Sequence, residues 1–172
     1  MSRAFVKELD GIEVGDDTPE KAQSRHPNFI TPAGLDKLKA RIVADEAARA
    51  AVAAQPDDPI AQQQLKALDR DLRYLMGRLE RAQPVDPAAQ PADEVAFGAT
   101  VEVIDDDDKR HVFTIVGEDE ADAPSGQVSW VSPLAQALLK ARVGDVVTWR
   151  RPAGDLGLEI AAIRYKTGDE PR

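Results

Sequence analysis

No cysteine occurs in the 172 residues, which excludes disulfides and thiolate metal sites without fixing a compartment. Histidine is nearly as scarce, and His26 and His111 stand alone without forming a metal pair. Aromatic residues reach only 5%, which suits an extended helical element better than a large globular core. Positive charge is in deficit: 22 Lys and Arg against 31 Asp and Glu leave a net charge of −9. A broad phosphate-neutralising surface is therefore not expected, duplex DNA or RNA is a poor direct partner, and a basic protein surface is a better one. Long apolar runs are missing as well. The opening Met1-Ser2-Arg3-Ala4-Phe5-Val6-Lys7-Glu8 reads as neither a signal peptide nor a membrane span, so the expected address is the cytoplasm, with no membrane partner. Nor is there a nucleophile elbow, a P-loop or a dinucleotide-binding glycine pattern.

What remains divides by composition. Residues 1–28 are acidic, poor in large apolar groups and rich in turn formers such as Gly15, Pro19 and Pro27. Such a stretch buries too little surface to offset its ordering entropy, which leaves a flexible extension or a strap ordered against something else. The short clusters Phe5-Val6 and Ile12-Val14 keep the strap open. At Thr31-Pro32 the character changes to a helix start, with a good N-cap followed by a proline whose missing N–H costs nothing there. Leu35, Leu38 and Ile42 form an amphipathic stripe that fades where Asp45 and Arg49 take the next seam positions. Alanines sustain helix propensity to the break at Gln55-Pro56-Asp57-Asp58-Pro59. A second helix, capped by Asp58, carries Leu65, Leu68, Leu72, Leu75 and Leu79 in three-four alternation, the seam of a coiled coil. The short connection makes the two helices an antiparallel hairpin over 29–83.

Pro84, Pro87 and Pro91 mark a linker over 84–94. From there to residue 166 the period is two, with strands expected at 99–104, 111–116, 127–131, 146–150 and 158–165, a short helix at 134–140, and a tail at 167–172. The fold class is α+β: an N-terminal antiparallel α-helical hairpin followed by a small β-rich domain with its helix on one sheet face.

Several segments of that domain resemble one family. Phe97-Gly98-Ala99-Thr100-Val101, Ile115-Val116-Gly117-Glu118-Asp119-Glu120-Ala121-Asp122, Ser132-Pro133-Leu134-Ala135, Val143-Gly144-Asp145 and Pro152-Ala153-Gly154 are similar, in order and spacing, to the C-terminal domain of the GreA/GreB transcript-cleavage factors. Thr31-Pro32-Ala33-Gly34-Leu35-Asp36-Lys37-Leu38 resembles that family's first-helix opening, and Asp69-Arg70-Asp71-Leu72-Arg73-Tyr74-Leu75 its second helix. The resemblance covers about residues 29–166 and implies an FKBP-like C-terminal fold. It also implies docking at the rim of the RNA polymerase secondary channel, with the hairpin reaching toward the active-site magnesium. Such a protein is no enzyme. It has no cofactor of its own and at most shares magnesium with the polymerase, whose site it completes.

The tip departs from the family pattern of Asp, two residues, then Glu-Asn-Ala, and the arms are shorter by roughly two helical turns each. Asp57 and Asp58 are the candidate tip residues and the candidate transient magnesium ligands, although an Asp before Pro is also ordinary capping. The resemblance makes Glu118, Asp119, Glu120 and Asp122 a docking loop for a basic rim, with Ser132 and Pro133 beside it. As exposed loop charges, Asp119 and Glu120 are expected to contribute little to folding. Asp105 to Asp108 lack the ligand spacing of a calcium loop. Trp130 and Trp149 fall in strands and read as packing residues. Two other readings stay open: a peptidyl-prolyl isomerase by fold analogy, which needs an aromatic-lined pocket, and an interaction module for a partner other than polymerase.

Overall fold

Thr31 and Asp58 begin two helices of equal length. The Thr31 hydroxyl accepts the Gly34 N–H and Pro32 opens α1 (Pro32–Ala53). The Asp58 carboxylate accepts the Ile60 N–H and Pro59 opens α2 (Pro59–Glu80). The computed structural model describes residues 19–166; Phe5-Val6, Ile12-Val14 and the tail at 167–172 lie outside the described residues. The helices run antiparallel. Leu38 and Ile42 share a buried cluster with Leu72, flanked by Leu35, Leu75 and Leu79, while farther out Arg49 pairs with Asp69.

Packing along the arm is uneven for the reason visible in the seam. The large apolar residues lie at the base, and toward the tip α2 buries Ala61 against an alanine-rich α1. Asp45 follows Ile42 on the inward face and is buried; Arg41 bonds both its oxygens at 2.8 Å. Residues 55–60, at the connection and the start of α2, are exposed.

The chain entering the hairpin pairs with the chain leaving it. Strand β1 (Asn28–Ile30) lies parallel to β2 (Ala82–Pro84). The expected boundaries at 28 and 84 therefore fall inside a small sheet, because the backbone groups on either side of the hairpin satisfy each other. Residues 20–26 run along α2. Glu20 meets Arg73, Lys21 meets Asp71 at 2.8 Å, Gln23 donates to the Tyr74 carbonyl, and Arg81 donates to the His26 carbonyl. Of the two forms left open for the extension, this part has the form of a strap.

The β-rich domain contains β3 (Ala99–Asp105), β4 (Arg110–Val116), β5 (Gln127–Ser129), α3 (Pro133–Leu138), β6 (Val146–Trp149) and β7 (Leu156–Tyr165). The sheet order is β5-β4-β3-β7-β6, antiparallel except for the parallel β4–β5 pair, with a bulge between Glu102 and Val103 opposite β7. Strict alternation in β3 turns Ala99, Val101 and Val103 to one face, where α3 covers them with Leu134, Ala135 and Leu138. Phe113, Trp130 and Trp149 pack against that core as partly buried residues. Strand β5 and helix α3 end two residues earlier than the sequence pattern suggests. Beyond β5, Trp130 N–H still bonds Val116, but Ser132 turns away to cap α3.

The base of the hairpin carries its stability. Leu72→Ala should cost about 2–5 kcal/mol in denaturant unfolding, whereas Ile60→Ala, at a position 66% exposed near the tip, should stay within about 0.5 kcal/mol.

Candidate functional site

Two regions of the molecule hold the candidate residues: the tip of the hairpin and the junction at its base. At the tip, Asp57 is exposed and Asp58 is an N-cap, with one carboxylate oxygen 2.9 Å from Ile60 N. Gln62 closes the turn by donating to the Pro56 carbonyl. Two adjacent carboxylates at an exposed turn, one of them bonded to a backbone N–H, do not make a cation site of their own. Among the described residues, no group of three or more His, Asp or Glu is arranged to hold a metal.

The acidic loop sits at the junction and is not a free solvated loop. It forms a single 3-10 turn, Glu118–Glu120, directly after β4. Arg78, on α2, is 1% exposed. Its Nε donates to Asp119 at 2.6 Å, one terminal nitrogen donates to Asn28, and the same nitrogen lies 3.5 Å from Glu118. Asn28 returns a bond to the Arg78 carbonyl at 2.7 Å. Glu120 accepts the Thr31 N–H and the Gly117 N–H, each at 3.0 Å, and the Thr31 hydroxyl. The Tyr74 phenol lies beside Asp119, and its pKa is raised by burial first and by that carboxylate second. Glu118, Asp119 and Glu120 thus bind the protein's own hairpin, which corrects the expectation that the charges of Asp119 and Glu120 contribute little to folding.

Arg78 is the residue that sequence reading missed. The one available signal is its place three residues after Leu75, which puts a guanidinium at the edge of the apolar seam. Asn28 and Thr31 gave no sign of their partners Arg78 and Glu120, which lie 50 and 89 residues away in the chain.

Asp122 and Pro133 are exposed and Ser132 is half-buried. Asp122 accepts the Ser125 hydroxyl at 2.6 Å, and Ser132 caps α3 through the Ala135 N–H. The 3-10 turns Glu118–Glu120 and Ala123–Ser125 and helix α3 lie against β5, which brings these residues to one edge of the sheet. A cleft of about 930 Å³ separates this edge from the first turns of α1, lined by Lys37, Arg41, Thr114, Asp122 and Gln127 among others. No aromatic residue lines it. Phe113 and Trp149 belong to the sheet core, and Phe29, Phe97 and Trp130 pack on one another at the junction. The isomerase reading has no support here.

Asp105 closes the β3–β4 turn. It accepts the N–H groups of Asp107 and Lys109 and meets His111 Nε2 at 2.7 Å. The hydrogen bond with His111, and then that with Lys109, lower its pKa from 3.8 to about 2. The run of aspartates is a tied turn.

Comparison with known proteins gives a consistent answer. A family model described as transcription elongation factor, GreA/GreB, C-terminal, matches residues 90–165. Transcription elongation factor GreB of Neisseria meningitidis serogroup B is 37% identical over 153 residues, 80% of this chain and 94% of that one. Transcription elongation factor GreA of Alkalilimnicola ehrlichii is 43% identical over 107 residues, 61% and 68% of the two chains. The crystal structure of GreA factor homolog 1 (Gfh1) of Thermus thermophilus is 22% identical and covers 81% of this chain and 99% of its own. Its TM-score is 0.39, a value at which the likeness carries no argument.

Reversing Asp119 and Glu120 to lysine should destabilise the fold by about 3–5 kcal/mol, because it strands a buried guanidinium; denaturant unfolding reads this directly. A second expectation concerns acid. Because the folded pKa of Asp105 lies below its ordinary 3.8, its contribution is complete above that value and is lost as pH falls through about 2. Asp105→Asn should flatten the stability profile in that window, measured by urea unfolding across a pH series.

Proposed function

We propose, from the premise that this chain belongs to the GreA/GreB family of transcription elongation factors, that it binds RNA polymerase at the secondary channel and modulates elongation. As a family member it is an accessory factor of transcription and not an enzyme. The observation that carries the channel reading is the exposed arm. Each helix of 22 residues spans about 33 Å at 1.5 Å per residue, and the arm ends in an exposed turn.

In this reading the hairpin is a coiled-coil finger and the five-stranded domain is an FKBP-like body. The body docks on a basic rim of the channel through Asp122, Ser132 and Pro133, with the outer edges of Glu118, Asp119 and Glu120 contributing. A net charge of −9 supports a basic protein surface as partner over duplex DNA. No described helix is long and apolar enough to cross a membrane, which agrees with a cytoplasmic address without fixing it.

The chemistry at the tip decides between stimulating cleavage of backtracked RNA and occupying the channel without cleavage. Cleavage calls for carboxylates that help hold a second magnesium and a water at the polymerase active site. Asp58 has one oxygen committed to the Ile60 N–H, and Asp57 is its neighbour on a shortened arm. This supports the occupant.

The test uses stalled, backtracked complexes with wild type, with Asp57→Asn/Asp58→Asn, and without factor. Asparagine caps about as well as aspartate, so the hairpin keeps its stability in the double variant. Little cleavage is expected from either protein, together with competition against a cleavage-competent Gre factor. Strong wild-type cleavage that is lost in the double variant would replace the occupant with a cleavage factor.

A further inference from the structure

The junction holds the two bodies more tightly than a simple tether requires. Its contacts join three chain segments far apart in sequence: the strap end at Asn28 and Thr31, α2 at Arg78, and the turn at 118–120. We propose that Arg78 and Glu120 are positioning residues that hold the hairpin at one angle to the sheet domain. Tip and docking edge then meet their partner as a rigid gauge. The gauge rests on the polymerase reading above; the fixed angle does not.

Three observations carry it. The bonds are directional. Arg78 uses Nε toward Asp119 and a terminal nitrogen toward Asn28, two fixed prongs of one planar group. The two oxygens of Glu120 are divided between the Thr31 hydroxyl and the N–H groups of Thr31 and Gly117, so the carboxylate plane is set by both bodies at once. A buried ion pair adds little stability over a packed apolar pair, so directionality is what this one supplies.

The approach is also close. A Cβ built on Gly34 of α1 would lie 2.2 Å from the Glu120 carboxyl carbon, and one on Gly117 would lie 2.5 Å from the Phe29 carbonyl oxygen. A side chain at Gly117 would push against the Phe29 backbone and force the bodies apart, and one at Gly34 would displace the Glu120 carboxylate from its bonds. Finally, there is room to swing. The cleft of about 930 Å³ lies between α1 and the β4–β5 edge, so the bodies are joined beside an open space. Loss of the two bonded groups leaves the hairpin free to move into it.

The absence of cysteine makes the test direct. Spin labels at Gln55→Cys and Asp155→Cys, both exposed, report the tip-to-domain distance in the free full-length protein. Arg78→Met combined with Asp119→Asn removes the 2.6 Å ion pair as a unit, and Glu118, 3.5 Å from the guanidinium, keeps a side chain 22% exposed to water. The unmodified junction should give one narrow distance. The double variant, with its circular dichroism unchanged, should give a broad distribution. Its polymerase affinity should fall by roughly tenfold, as when the competent orientation is populated one time in ten, and well beyond the loss from Asp122→Asn, which removes one docking charge away from the joint. If that variant does not fold, Glu120→Gln carries the same comparison with its shape retained. A narrow, unshifted distance in the folded variants overturns the fixed angle. A broadened distance with unchanged affinity overturns the gauge. Failure of the unmutated protein to bind polymerase overturns the proposed function, while the distances still decide the angle.

Discussion

A single buried guanidinium organises the base of this molecule. Arg78 reaches from α2 to the turn after β4 and to the strand that precedes α1, and it is 1% exposed while doing so. A charge taken that far out of water is tolerated only with close partners. The partners available are carboxylates from the other domain and an amide from the strap. The same demand draws Glu118 and Asp119 inward, and Glu120 beside them binds the start of α1. The hairpin and the sheet domain are therefore joined by a buried ion pair and directional hydrogen bonds. The aromatic contacts of Phe29 with Phe97 and Trp130 add packing around the joint.

This arrangement shapes the functional reading. An acidic loop that was expected to face a partner is largely committed to the protein itself, leaving Asp122, Ser132 and Pro133 as the open side. The strap at residues 20–26 lies on α2 and thickens the base of the finger, while the outer half of the arm is narrow and rich in alanine. A finger of that shape suits entry into a confined space. In the proposed function its tip, with one Asp58 oxygen committed to a cap, fills that space without bringing a metal there.

The helices and strands were legible because local chemistry determines them. Thr31-Pro32 and Asp58-Pro59 are helix starts in any context, and the leucines of α2 show which face is buried. The alternation Ala99, Val101, Val103 identifies a one-sided strand before any partner is known. Family membership was legible for a similar reason, since segments in order and at spacing carry it. The junction was not legible. Its pairs bridge 41 residues from Arg78 to Asp119, 50 from Asn28 to Arg78 and 89 from Thr31 to Glu120. No local pattern distinguishes a carboxylate that will be paired from one that stays in water. The parallel pairing of β1 with β2 was hidden too, because three residues on each side are too short to show a period.

The central claim is that the arm of this protein lies inside a channel of RNA polymerase while its sheet domain stays at the rim. Photo-crosslinking from a benzophenone side chain at position 55, in the complex of full-length protein with polymerase, tests this most directly. Crosslinks are expected to the polymerase segments that line the channel near the active site, lost when a cleavage-competent Gre factor is added in excess. Crosslinks confined to the outer surface of polymerase, with the sheet domain still bound, would contradict it.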